Sequence, residues 1–250
     1  MTNNNMFFIA NWKMHGNTRD IVKTTSVIKL AKSKKYKRSR IVYCPPYTLL
    51  GNFYKKVKNT SVSIGAQDCV SNSDYGPFTG SINAKLIKST GAKYIIIGHS
   101  ESRNNGDTDL TINKKIRSAL RENLKVIFCV GEKLSDKKKK ITYNVLKKQL
   151  NNGLKSIKKF ENIIFAYEPV WSIGTGIVPK NEELSINIRN IKNILCKIKK
   201  SINPKVLYGG SVNSKNVKEL TEIKEIKGFL VGGASLNAKK FIDIIKKSIN

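Results

Sequence analysis

The sequence predicts a (β/α)8 barrel of eight parallel strands, each followed by a helix. Three observations predict it. Short apolar runs alternate with longer helical patterns eight times along 250 residues, and strand–helix alternation implies a parallel sheet. The length suits one closed barrel, and no break in composition divides it, so residues 1–250 are expected to form one domain. Glycines and polar residues recur directly after the apolar runs, where a barrel gathers its βα loops on one face. An open doubly wound sheet competes, but no GxGxxG follows the first run.

Strands are expected at 7–12, 41–44, 63–66, 94–97, 126–130, 163–167, 206–208 and 229–231. Pro45-Pro46 stop the second, and glycines directly follow the fourth, fifth, seventh and eighth. Helices are expected at 18–32, 48–58, 83–90, 108–123, 138–160, 182–201, 215–223 and 241–249. Gly91 is a C-terminal stop for the third, and Gly153 interrupts the fifth. A long polar loop with Gly76, Pro77 and Gly80 covers 67–81.

The chain carries 47 Lys+Arg against 17 Asp+Glu, a formal charge of +30. Such a field attracts nucleic acid, anionic membrane or phosphorylated metabolites. The lysines are spread over most helices and accompany abundant Asn and Ile, which reads as compositional bias. A nucleic-acid binder would cluster them on one face. No specific nucleic-acid or membrane partner is therefore expected, and the run Lys137–Lys140 reads as a solvated helix start. Cys44, Cys69, Cys129 and Cys196 form no CxxC pair and read as free, buried thiols. The first residues lack a signal-peptide pattern, and no apolar run approaches the ~20 residues of a membrane span. Cytosol is the default.

The stretch IIFAYEPVWSIGTGIVP, at 163–179, organises the candidate site. Glu168 ends a strand suited to cover on both faces. VWSIGTG then joins apolar bulk to Gly174 and Gly176, as a water-excluding lid requires. A structural Glu before an ordinary loop is the competing reading. His99 follows YIIIG at another strand end. Ser100 is expected to cap the next helix, whose positive end disfavours an imidazolium. YGGSV (208–212) and VGGAS (231–235) leave backbone N–H groups open for a phosphate, although they could simply be tight turns. Lys13 would add a cation. Glu132 also ends a strand and is expected on the same face. No metal-ligand spacing or Ser-His-Asp arrangement is legible. A carboxylate base, a neutral histidine and an anion clamp suit proton abstraction beside a carbonyl.

FFIANWKM (7–14), IIIGHSES (95–102), FCVGE (128–132), AYEPVWSIGTG (166–176), YGGSV (208–212) and GFLVGGASL (228–236) together resemble the triosephosphate isomerase family over nearly the whole chain. The resemblance implies a TIM barrel that interconverts dihydroxyacetone phosphate and glyceraldehyde 3-phosphate, in glycolysis and gluconeogenesis, with no cofactor or metal. It implies Glu168 as the proton-shuttling base, His99 as the neutral electrophile, and Lys13 and Asn11 as stabilisers of negative oxygen. Glu101 would support Lys13 and Asn11. Gly174, Ser211, Gly232 and Gly233 would hold the phosphate by backbone N–H groups. Tyr208 would latch the lid, and Thr79 would be the tip of a loop reaching into the second subunit of a homodimer. The family's catalytic design is also a standard illustration of pKa tuning and loop gating.

Four features depart from the family's habit. Ser81 and Ser102 stand where a Glu and an Arg usually pair between subunits. Lys227 stands where Asp is usual, so that residue's usual basic partner must pair otherwise. Ile177-Val178-Pro179 replaces a more polar hinge, and Pro179 would stiffen it. None touches the proposed acid–base set. A barrel converted to a polyanion-binding protein, or one isomerising a larger phosphorylated sugar, are the alternatives. The intact site residues argue against the first and the short loops against the second.

Overall fold

Eight strands close in sequence order into a parallel barrel: β1 (Phe7–Asn11), β2 (Arg40–Cys44), β3 (Ser63–Ala66), β4 (Tyr94–Ile97), β5 (Lys125–Val130), β6 (Ile163–Tyr167), β7 (Val206–Tyr208) and β8 (Ile226–Val231). β1 pairs with both β2 and β8, which completes the ring. The computed structural model describes residues 6–200 and 202–249.

Strand side chains alternate between two apolar layers, as the period of two demands. Phe7 and Ile9 of β1, Ile127 and Cys129 of β5, and Ile164 and Ala166 of β6 belong to a cluster built only from strand residues. That cluster fills the barrel interior. Phe8, Phe128, Phe165 and Tyr167 belong to the larger cluster shared with the helices outside. The interior is a packed core, so function is confined to its two mouths. Continuing the same alternation past the strand ends aims Asn11, Glu168, Gly209 and Gly232 over the interior.

β3, β4, β6 and β7 have the bounds read from sequence. β1 ends one residue early because Trp12 turns out to pack edge-on against Tyr43 and Phe53, with ring centres 5.8 and 5.4 Å away. β8 begins three residues early, at Ile226.

The helices are more broken than their periodicity implies. The pattern at 18–32 divides into Thr18–Lys23 and Thr25–Lys32, with Thr24 between them bonding back to the Ile21 carbonyl. The pattern at 48–58 becomes a 3-10 turn, Tyr47–Leu49, and a helix, Leu50–Val57. The pattern at 138–160 becomes Leu134–Lys138, Thr142–Gly153 and a 3-10 turn, Phe160–Asn162. Lys140 and Ser156 break it with positive φ, 56° and 60°. Gly153 ends the central helix instead of interrupting it. A Cβ there would lie 2.4 Å from the Phe128 ring, an overpacking that typically costs about 1–3 kcal/mol.

The remaining helices are Ala84–Ser89, Asp109–Arg121, Asn181–Ile198, Val217–Glu222 and Ala238–Ile249. Asn83 and Thr108 cap the first two by accepting from Leu86 N and Thr111 N. Ser201, expected as the end of one helix, lies outside the described residues. A further short helix, Ser100–Asn104, follows β4, and its N-cap is His99, not Ser100. Cys44, Cys69 and Cys129 are buried free thiols, but Cys196 is exposed because it lies on the outer face of its helix. Among the described residues no helix is long and apolar enough to cross a membrane.

Candidate active site

Asn11, Lys13, His99, Glu168, Gly174, Ser211, Gly232 and Gly233 line one cavity of about 250 Å³ at the carboxyl ends of the strands. These residues come from five separate strand ends. Only barrel closure brings them together.

Glu168 is 2% exposed. A Cβ on Gly209 would lie 2.7 Å from its Cγ, and one on Gly131 would lie 1.8 Å from its carbonyl oxygen. Glycine at both positions is therefore a condition for a carboxylate in this place. Burial pushes the Glu168 carboxyl above its ordinary value, opposed by His99, the Cys129 thiol, Lys13 and the Ser100 backbone N–H. Its Oε1 is buried without a hydrogen-bond partner among the described residues. A raised, under-solvated carboxylate has the character of a base.

The Nδ1 of His99 accepts the Glu101 backbone N–H at 3.2 Å. That bond uses the Nδ1 lone pair, so the ring proton sits on Nε2. Nε2 faces Oε1 of Glu168 at 3.4 Å, a contact too long for a good hydrogen bond. His99 thus presents an N–H donor to the cavity beside the carboxylate.

Lys13 is held in a left-handed backbone, with φ of 54°. The structure over-determines it. Its N–H donates to Asn11 Oδ1 at 3.1 Å, and its carbonyl accepts from Gln67 Nε2 at 2.8 Å. Gln67 Nε2 also donates to the Cys44 carbonyl, so one side chain ties two strand ends. The Lys13 ammonium pairs with Glu101 at 2.6 Å. Glu101 itself sits outside the cavity lining.

The lid, residues 170–176, lies against the loop after β7. Ser211 Oγ donates to the Ser172 carbonyl at 2.6 Å and accepts from Gly176 N at 3.1 Å. Ser172, fully buried, donates from Oγ to the Ile177 carbonyl at 2.5 Å and lies 3.0 Å from the Tyr208 hydroxyl. Burial pushes the Tyr208 phenol up to about 12, so it remains a donor. Beyond the lid, Val178 packs against the core and Pro179 offers no N–H.

Glu132 does not enter the cavity. It turns outward by strand parity and anchors the near end of the lid, accepting from Trp171 Nε1 at 2.8 Å and the Tyr167 hydroxyl at 3.1 Å. Lys137 sits 3.7 Å from the Trp171 ring centre and pairs with Glu183. The run Lys137–Lys140 lies at the end of the helix Leu134–Lys138 and not at its start: Lys138, Lys139 and Lys140 are solvated as expected, and Lys137 folds onto the lid.

Arg103 supports the histidine turn. Its Nε donates to the Gly98 carbonyl at 2.9 Å, and its Nη1 pairs with Asp109 at 2.7 Å. Gln67, Cys129, Arg103 and Ser172 were not singled out from sequence. Gln67, Cys129 and Ser172 act across long separations, Arg103 reaches Gly98 and Asp109 within six residues, and no local pattern marks any of them. Thr79 is exposed on the 67–81 loop, away from the cavity. Near Lys227, Arg189 pairs with Glu225 at 3.8 Å. Among the described residues no group of three His, Cys, Asp or Glu is placed to hold a metal ion.

The family model for triosephosphate isomerase matches residues 6–248. The chain belongs to the triosephosphate isomerase family. It is 42% identical over 245 residues to the triosephosphate isomerase of Dictyoglomus thermophilum, covering 95% of this chain and 97% of that one. It is 39% identical over 246 residues to that of Geotalea uraniireducens, covering 96% and 97%. The crystal structure of triosephosphate isomerase from Bartonella henselae superposes with a TM-score of 0.89 at 31% identity, over 97% of this chain and 98% of that chain. The family's barrel and this chain's barrel therefore agree from end to end.

Proposed function

We propose that Glu168 carries a proton between adjacent carbons of a triose phosphate in the family's reaction, the interconversion of dihydroxyacetone phosphate and D-glyceraldehyde 3-phosphate. Glu168 takes a proton from the carbon next to the carbonyl. The C–H electron pair becomes the enediolate double bond, and the carbonyl oxygen takes the negative charge. His99 Nε2–H, the Lys13 ammonium and Asn11 stabilise that oxygen. The proton of the adjacent hydroxyl passes to that oxygen, and Glu168 returns its own proton to the carbon that had carried the carbonyl: the enediolate double-bond pair forms the new C–H bond, and the deprotonated oxygen forms the new carbonyl on the first carbon. Glu101 holds Lys13 in place.

The phosphate would lie on the backbone N–H groups of Gly174, Ser211, Gly232 and Gly233. Its binding energy would draw the lid down, and Tyr208 would help to keep it there. A closed lid excludes water from the enediolate and so guards against loss of phosphate. The observation that carries this reading is the buried Glu168 beside His99 Nε2, above one cavity shared with Lys13 and the paired glycines. A coupled isomerase assay on the full chain tests it. No turnover of either triose phosphate would overturn it.

We further propose a homodimer in the cytoplasm, with each chain acting as one domain. Met14 is 93% exposed and Phe78, one residue from Thr79, is 49% exposed. Two such exposed apolar side chains favour cover by a second copy. Size measured across a range of protein concentrations tests this. A monomer at all concentrations would exclude it.

A further inference from the structure

The amino-terminal mouth of the barrel opens into a larger cavity, about 470 Å³ against about 250 Å³ at the candidate active site. Its floor is the lowest layer of the barrel interior, Phe7, Tyr94 and Ile164. Its wall carries Arg40, Lys125, Lys158, Lys199 and Lys205, against one carboxylate, Glu161. Arg40 opens β2, Lys125 opens β5, and Lys205 directly precedes β7. The topology therefore brings cations from separate strands to one opening.

Among the described residues none of these five cations forms an ion pair. All five are exposed at the rim of the cavity, whereas Lys115 is met by Asp68 and Asp107, and Lys137 by Glu183. At the mouth, Lys125 lies 5.6 Å from the Tyr94 ring centre and Lys205 lies 5.5 Å from that of Phe7. Both ammonium groups are thereby held over the floor. Burial lowers the affinity of Lys125 for its proton, and the charges of Arg40, Lys205 and Lys93 lower it further. Lys125 thus lies close enough to Arg40 and Lys205 to be repelled by both.

We propose that this mouth is a binding site for a small, multiply charged phosphate compound of the polyphosphate class. Several convergent cations without a carboxylate partner call for more than one negative charge. A single phosphate would leave most of them uncompensated. The charges line a concavity at the end of a barrel, and a duplex or a bilayer would reach only its rim. The active-site clamp is different in kind, with backbone N–H groups and one lysine suited to a single phosphate.

The test is titration calorimetry of the full chain with tripolyphosphate at constant ionic strength. Lys125→Gln/Lys205→Gln is expected to weaken binding at least tenfold while isomerase turnover and the far-UV spectrum stay unchanged. Lys147→Gln/Lys148→Gln, which removes the same charge from an outer helix, is expected to change it less than twofold. Lys13→Ala is expected to leave it intact. The proposal is overturned if Lys13→Ala abolishes binding, which would place the ligand in the substrate cavity. It is overturned if both lysine pairs matter equally, which would reveal a diffuse field. It is also overturned if orthophosphate binds as tightly as tripolyphosphate, or if duplex DNA or anionic vesicles bind through Lys125 and Lys205 while tripolyphosphate does not.

Discussion

Nε2 of His99 faces Oε1 of Glu168 at 3.4 Å, and both side chains are buried. The proposed donor for a substrate oxygen and the proposed base for a substrate carbon are thus adjacent. Each is held by its own backbone frame: the Glu101 N–H for His99, and Gly131 and Gly209 for Glu168.

Shortening the base should therefore be costly. Glu168→Asp withdraws the carboxylate by about one carbon–carbon bond. A misplacement of about 1 Å can cost roughly 10²-fold in rate. The expected outcome is a fall in kcat of that order with KM within a few-fold of wild type. Steady-state kinetics in both directions checks this, and unchanged kcat would remove Glu168 from the role of base.

Burial without a hydrogen bond at Oε1 makes Glu168 a cost to folding. Its carboxyl is raised in the folded chain, so the folded state binds more protons than the unfolded state between the ordinary carboxylate value and the raised one. Stability then falls as pH rises through that window. Glu168→Gln should be inactive yet melt higher than wild type at neutral pH. Its advantage should vanish in acid, below the ordinary carboxylate value. Thermal melts at a series of pH values from about 4 to about 8 check the sign. The acid limb of kcat/KM should lie above the ordinary carboxylate range.

Ser172 ties the lid to Tyr208. Ser172→Ala leaves a buried phenol without its partner, a loss worth about 1–3 kcal/mol. That loss should appear as slower turnover and weaker substrate binding. Tyr208→Phe removes the other half of the contact. The double variant should cost less than the two single losses combined, because the bond can be lost only once. Strict additivity in kcat/KM would show that the hydroxyls act separately.

Arg103→Ala removes a charged donor from the Gly98 carbonyl and leaves Asp109 unpaired. Hydrogen bonds to charged groups are worth about 1.5–3 kcal/mol, and a loss of that size in urea unfolding is expected. Because Gly98 precedes His99, kcat should fall as well. Arg103→Lys should restore stability in part and turnover less, since a lysine cannot bridge both partners.

Ser81 and Ser102 bear on assembly. If a second copy covers the 67–81 loop, the pair Ser81→Glu/Ser102→Arg should tighten the dimer, and either change alone should not. Sedimentation at several concentrations checks this.

Much of the fold was legible because its signals are local. Apolar runs of strand length, each ended by glycine or a polar residue, mark β3, β4, β6 and β7 to the residue. Helix breaks were not legible. Thr24, Lys140 and Ser156 are ordinary in helical periodicity: Thr24 bonds back within its own turn to Ile21, and Lys140 and Ser156 take a positive φ that no residue type announces. The Ser100 cap was misplaced by one residue because His99 is an unusual acceptor for a helix N-terminus.

The order of elements, the strand ends and the set Asn11, Lys13, His99 and Glu168 stand in the sequence itself, because residue type and position relative to a strand end are one-dimensional facts. Which side chains support that set is not. Gln67 bonds to Lys13 across 54 residues, Ser172 reaches Tyr208 across 36, and Lys13 meets Glu101 across 88. Glu132 belongs by sequence to the same series of strand ends, but strand parity sends it outward to the lid's anchor. Closure of the ring also gathers Arg40, Lys125 and Lys205 at the opposite mouth. Those choices follow from register and side-chain alternation around a closed barrel, which only the folded chain possesses.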